Sequence, residues 1–176
     1  MAMKIFLIGY MGCGKSTLGR KIAKAVGCKF ADTDSAVESR EGASVVDIFR
    51  YEGEEYFRRI EREVIEEFAT SAEDMVISTG GGAPVWRDNV AYMNSMGNTF
   101  YLQRTAVQIA SRLSPHGRQK RPKLRGLNDE ELVAFMTANM AEREPYYAQA
   151  TYRIDCAEKS DAEIVEIILQ QIKDNE

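Results

Sequence analysis

Apolar residues in this chain fall into short unbroken runs separated by longer stretches in which they recur every three or four positions. The runs are Lys4 to Ile8, Lys29 to Asp32, Met75 to Thr79, Thr99 to Gln103 and Tyr152 to Asp155. Runs of this length predict strands buried on both faces, as in a parallel sheet. Between them the spacing is helical. Several of these helices carry a start signal: Thr105 with Gln108, Asn128 with Glu131 and Ser160 with Glu163 have the spacing of a capping box. The last helix repeats Ile164, Ile167, Ile168 and Ile172 on one face, a pattern for packing against a core. Strand alternating with helix predicts an α/β domain of three layers, with a central five-stranded parallel sheet between helices. Ligands of such sheets gather at the carboxyl ends of the strands.

Two stretches break the alternation. Residues 44–68 are helical in pattern with no strand between, and residues 114–127 hold two prolines, two glycines and no helical periodicity. The first predicts a helical insertion facing a substrate and the second a mobile lid. With their flanks they give a substrate-binding helical region over 34–70 and a lid over 112–127, inside one domain spanning 1–176.

Composition narrows the chemistry. A chain of 176 residues, 44% hydrophobic and 28% charged, suits one domain with a proper core. One histidine, His116, and three cysteines, Cys13, Cys28 and Cys156, cannot build a two-His zinc helix, a three-His site or a four-Cys finger. The cysteines are odd in number, widely spaced and without C-x-x-C, which predicts reduced thiols in the cytoplasm. Ile5 to Ile8 is too short for a signal sequence, and no window approaches the roughly 18 apolar residues of a membrane span, so a soluble protein with no membrane partner is expected. The net charge of −4 hides a strong asymmetry. Arg112, Arg118, Lys120, Arg121, Lys123 and Arg125 crowd one segment that has no acidic residue, leaving the rest of the chain at −10. That segment also lacks interleaved aromatics, which favours a basic lid closing on a triphosphate over a nucleic-acid patch.

Directly after the first strand stands Gly9-Tyr10-Met11-Gly12-Cys13-Gly14-Lys15-Ser16-Thr17, a full match to G-x-x-x-x-G-K-[ST] in its strand-loop-helix setting. Glycines let the backbone curl so that successive N–H groups point at phosphate oxygens, and the helix beginning near Lys15 adds its positive end. Lys15 supplies a point charge to the β- and γ-phosphates, and the Ser16 hydroxyl is a ligand for Mg²⁺. The Asn/Thr-Lys-x-Asp segment of a guanine site is absent, as is an Asp-x-x-Gly switch, which disfavours a GTPase.

The acceptor side has three candidates. Asp32-Thr33-Asp34 closes the second strand; if the chain stays extended, both carboxylates face the strand-end crevice, one for the hydration shell of the metal and one to take a proton from an alcohol. The alternative is that Asp34 or Thr33 caps a helix beginning around Ser35. Gly80-Gly81-Gly82 removes side chains where the third strand ends, so a ligand can reach backbone amides; a flexible linker is the other reading. Arg58 would neighbour Glu54, Glu55 and Glu61 on a helix, as solvated i,i+3 and i,i+4 pairs usually do, and Arg143 stands two residues before Pro145 near a helix end. Both arginines gain meaning if the acceptor carries a carboxylate, which a guanidinium grips bidentately.

This ordered set resembles the shikimate kinases, P-loop enzymes of the nucleoside-monophosphate-kinase-like fold. The likeness runs through the P-loop, Asp32-x-Asp34, Phe57-Arg58-x-x-Glu61, Gly80 to Gly82, Arg112, Arg121-Pro122 and Arg143-x-Pro145-x-Tyr147-x-x-Ala150. It implies transfer of the γ-phosphoryl of ATP to the 3-hydroxyl of shikimate, with Mg²⁺ as cofactor; a monomer is expected, since small single-domain kinases can work alone. By the same resemblance Gly12, Cys13, Gly14, Lys15, Ser16, Thr17, Arg112, Arg121 and Arg153 bind ATP, Arg112 and the segment 153–157 flanking adenine. Ser16 and Asp32 serve the metal, the latter through water. Asp34, Lys15 and Arg121 are catalytic, Arg121 arriving with the lid; Asp34, Arg58, Arg143 and Gly80 to Gly82 bind shikimate. One departure is Lys123, where the family's lid usually has a leucine. The alternatives are a kinase of another small hydroxy acid, such as gluconate, and a P-loop nucleic-acid binder, which leaves Asp32, Asp34 and the glycine run without a role.

Overall fold

The first apolar run, Lys4–Ile8 (β1), is buried at every position and forms the middle strand of the sheet. The computed structural model describes residues 2–174; positions 1, 175 and 176 of the expected 1–176 domain lie outside the described residues. Met75–Ser78 (β3) and Asn98–Gln103 (β4) flank β1, with Lys29–Asp32 (β2) beyond β3 and Tyr152–Asp155 (β5) beyond β4. Every pairing is parallel, in the order β2-β3-β1-β4-β5. Ser78 is level with Leu7 on one side and with Asp32 on the other, so the ends of β1, β2 and β3 open into one crevice. Thr79 falls just past β3, yet its N–H and hydroxyl both donate to the Leu7 carbonyl at 3.1 Å.

Helices Lys15–Val26 (α1), Thr33–Glu41 (α2), Val45–Tyr51 (α3), Glu54–Thr70 (α4), Asn89–Met96 (α5), Ala106–Arg112 (α6), Pro115–Gln119 (α7), Asp129–Tyr147 (α8) and Asp161–Lys173 (α9) complete the domain and flank the sheet. All three expected capping boxes form, at Thr105, Asn128 and Ser160. Ile164, Ile168 and Ile172 of α9 are buried in the main core.

The helical stretch 44–68 becomes α3 and most of α4, which with α2 enclose a second, smaller core of Val37, Ile48, Phe57, Ile60 and Val64. Ile65 and Ala69, further along α4, sit in the main core, so one rigid helix carries both bodies. The stretch 114–127 is less irregular than its sequence suggests. Ser114 caps the short α7, accepting from the Gly117 N–H at 3.0 Å, and a 3-10 turn follows at Pro122–Leu124. A helix little longer than one turn cannot display a 3.6-residue repeat, which is why no periodicity shows. Leu124 is buried in the main core and Arg118 pairs with Asp129 at 2.7 Å, tying this segment to α8. Among the described residues no helix is long and apolar enough to cross a membrane.

Candidate active site

The phosphate loop is shaped by Gly12 and Gly14, whose φ of +76° and +102° lie in the left-handed region that other residues resist. Gly14 caps α1 with no side chain, leaving the first N–H groups of the helix turned to the crevice. Lys15 is buried, its Nζ donating to the carbonyls of Gly9 at 2.8 Å and Tyr10 at 2.9 Å, which holds the ammonium over the loop. Cys13 is buried inside the loop and Thr17 is exposed in the first turn of α1. Arg104 fastens the loop from behind, donating to the Cys13 and Cys156 carbonyls at 3.0 and 3.1 Å.

Beside the loop, the Ser16 hydroxyl donates to Asp32 Oδ2 at 2.7 Å and lies 3.3 Å from Ser78 Oγ. The other Asp32 oxygen accepts from the Ser35 N–H at 3.1 Å, so Asp32 is the N-cap of α2. This corrects the sequence expectation on two points: the cap is neither Thr33 nor Asp34, and the chain turns into a helix after Asp32 instead of staying extended. An aspartate already at the strand end can cap without further backbone adjustment, and this frees its neighbours. Thr33 Oγ1 accepts from the Gly80 N–H at 3.0 Å, and Asp34, half-buried in the first turn of α2, faces Gly80.

The glycine run is a meeting point of side chains. A Cβ added at Gly80 would lie 2.6 Å from Glu61 Oε1 and 2.8 Å from Asp34 Oδ1. At Gly81 it would lie 3.1 Å from the Met11 nitrogen and 3.5 Å from Arg143 Nη1, and at Gly82 it would run into the Arg58 guanidinium. A linker would have no such neighbours. Arg58 is not one of the solvated pairs its spacing suggests. It is buried, bonded to Glu61 Oε2 at 2.6 Å and stacked near Phe57 and Phe49, with Glu54 at 3.6 Å. Glu55 turns instead to Arg87, at 3.1 Å. Arg143 comes from α8, its guanidinium 5.5 Å from the Tyr10 ring, and Tyr147 on the same helix donates to the Gly81 carbonyl at 2.6 Å.

Electrostatics follow from this crowding. Burial, reinforced by the neighbouring Asp32, raises the pKa of Asp34, while Lys15 and Arg58 pull it back. Burial pushes Glu61 up to about 7 despite the Arg58 guanidinium beside it. Exposed Arg112, at the end of α6, brings Nη2 to 3.4 Å from the Cβ position of Gly14. Arg121 lies between α7 and the 3-10 turn, donating to the Gly117 carbonyl at 2.7 Å. Arg153 is exposed on β5, its guanidinium 3.9 Å from Glu144 of α8. Ser78 and the burial of Glu61 were not foreseen. The polar close of the third apolar run was the one signal for Ser78, and the motif around Arg58 contained Glu61 without giving it a role.

A parallel sheet whose central strand ends in a phosphate loop, faced by a carboxylate and two arginines, defines a P-loop kinase with an acidic acceptor. A family model described as shikimate kinase matches residues 11–173. The shikimate kinase of Parabacteroides distasonis is 44% identical over 156 residues, covering 89% of this chain and 88% of that one. Among solved structures, the shikimate kinase of Bacteroides thetaiotaomicron superposes with a TM-score of 0.90 at 36% identity, over 97% of this chain and 98% of that one. That of Acinetobacter baumannii in complex with shikimate gives 0.87 at 31%, over 100% and 96%. The chain belongs to the shikimate kinase family.

Proposed function

We propose that this enzyme transfers the γ-phosphoryl group of ATP to the 3-hydroxyl of shikimate. The observation that carries the reading is the convergence of Asp34, Arg58 and Arg143 on Gly80 to Gly82, in the crevice that the phosphate loop opens. Arg58 and Arg143 hold the acceptor's carboxylate, which leaves its hydroxyl to Asp34. The hydroxyl oxygen bonds to the γ-phosphorus, its proton passes to Asp34, and the bond to the β–γ bridging oxygen breaks to release ADP. Lys15 and the N–H groups from Gly12 to Thr17 bind the phosphates, and Arg121 comes onto them as segment 112–127 closes. Arg112 and segment 153–157, Arg153 included, border adenine. Region 34–70 then serves the acceptor.

Among the described residues no cluster of three His, Cys, Asp or Glu side chains could hold a metal alone. Ser16, Asp32 and Ser78 present only oxygen, which fits Mg²⁺ shared with phosphate and water. When bound there, Mg²⁺ neutralises charge on the phosphates. The reading calls for no nucleic acid, membrane or second copy of the chain, and the free thiols Cys13, Cys28 and Cys156 suit a reducing cytoplasm.

The test is an acceptor panel with ATP and Mg²⁺. The expected kcat/KM for shikimate exceeds that for gluconate by at least about 10²-fold, and chelating Mg²⁺ abolishes transfer. Equal use of gluconate would return the choice of acceptor to the broader hydroxy-acid class. A narrower check is Gly82→Ala. Gly82 has an ordinary φ of −92°, so the substitution acts only by displacing the Arg58 guanidinium. KM for shikimate is expected to rise about tenfold, roughly 1.4 kcal/mol, with the Kd of ATP unchanged.

A further inference from the structure

Glu61 lies at the back of the acceptor pocket with one oxygen paired and one not. It is fully buried, Oε2 accepts from Arg58 Nη1 at 2.6 Å, and Oε1 is buried with no partner among the described residues. Oε1 lies 2.6 Å from the point where a Gly80 Cβ would stand, and Asp34 Oδ1 lies 2.8 Å from the same point. Two carboxyl groups, from α2 and α4, therefore meet across one glycine. The cations that face Glu61 are Arg58 on its own helix and Arg143 from α8; Lys15 of the phosphate loop bears on Asp34.

We propose that Glu61 takes up a proton when an acidic acceptor settles against Arg58, linking acceptor affinity to pH. The inference rests on the acceptor reading above. An incoming carboxylate gives the Arg58 guanidinium a second anion to serve, and Glu61 has no other buried partner to turn to. Its charged form is then disfavoured further, and a proton relieves it. Oε1 is the oxygen to carry that proton, since it has no partner among the described residues and the Asp34 carboxylate stands across Gly80. Oε2 meanwhile keeps its bond to Arg58, so the guanidinium stays aimed at the ligand.

The sign follows from linkage. In the empty pocket burial already holds Glu61 at about 7. An anionic ligand raises that value, so the protonated form binds more tightly and affinity falls as pH rises above about 7. Below that range Glu61 is protonated with or without ligand, and affinity is flat.

Titration calorimetry of shikimate into the full chain without nucleotide, at pH 7.5 in two buffers of different ionisation enthalpy, reads the uptake directly. We expect a substantial fraction of a proton taken up per acceptor bound and a Kd for shikimate that rises about threefold to tenfold between pH 7 and 8.5. Shikimate's own carboxyl titrates far below this range, near pH 4, as ordinary carboxyls do. Glu61→Gln keeps an oxygen for Arg58 and cannot ionise, so it abolishes the uptake and flattens the Kd profile. His116→Gln, in the lid, keeps both, and it attributes the wild-type signal even where Glu61→Gln does not fold. Binding without uptake, or uptake that survives in Glu61→Gln or vanishes in His116→Gln, overturns the linkage alone. No binding of shikimate at any pH overturns the acceptor assignment and the linkage with it.

Discussion

Asp34→Asn is expected to lower kcat with shikimate by about 10²- to 10⁴-fold, the usual worth of a positioned base. Asn has nearly the shape of Asp, so the packing of α2 on Gly80 survives, but the amide cannot take the hydroxyl proton. ATP binding is expected to hold. The side-chain hydrogen bonds of Lys15 and Ser16 go to Gly9, Tyr10, Cys13, Asp32 and Ser78, and Asp34 reaches Lys15 through charge alone. The raised pKa of Asp34 also sets the acid limb of the wild-type profile: turnover falls as pH drops through a value above that of an ordinary carboxylate, because the base must be ionised. Steady-state kinetics with a parallel measurement of the ATP Kd check both parts. Unimpaired turnover in the variant would remove Asp34 from its role.

The second large effect is on recognition. Arg58→Ala is expected to raise KM for shikimate by about 10²-fold, in line with the cost of deleting one partner of a buried charged pair, and to leave the Kd of ATP nearly unchanged. It also strands Glu61. With its guanidinium gone, that carboxyl keeps Asp34 nearby and remains fully buried, so its proton is held to higher pH. The variant's stability relative to wild type is therefore expected to be worse at pH 8 than at pH 5, where Glu61 is neutral in either protein. Comparing shikimate with its methyl ester isolates the contact: wild type prefers the acid, and the variant loses most of that preference. Equal affinity of wild type for acid and ester would argue against the arginine clamp.

What the sequence disclosed of this site follows the range of the interactions involved. The phosphate loop depends on neighbours in the chain, so glycines, lysine and hydroxyl could be read in order, and the parallel strands appeared with ends shifted by a residue at Thr79 and Asn98. Capping boxes are equally local. The cap at Asp32 was missed because Asp32, Thr33 and Asp34 all have capping chemistry, and only the point where β2 turns into α2 decides among them. Arg58 was harder. Its spacing to glutamates describes an exposed helix face as well as a buried one, and what buries it is a packing event: α4 laid against Gly82, from a strand end distant in the chain. Glu61 and Ser78 share that character.

Every role assigned to these residues serves one transfer. Incubating the purified chain with ATP, Mg²⁺ and shikimate and following the products by phosphorus and proton magnetic resonance tests it most directly. The prediction is one phosphate monoester, coupled to the proton on carbon 3 of shikimate and formed in step with ADP. ADP accumulating with shikimate unmodified, or an ester at a different hydroxyl, would contradict it.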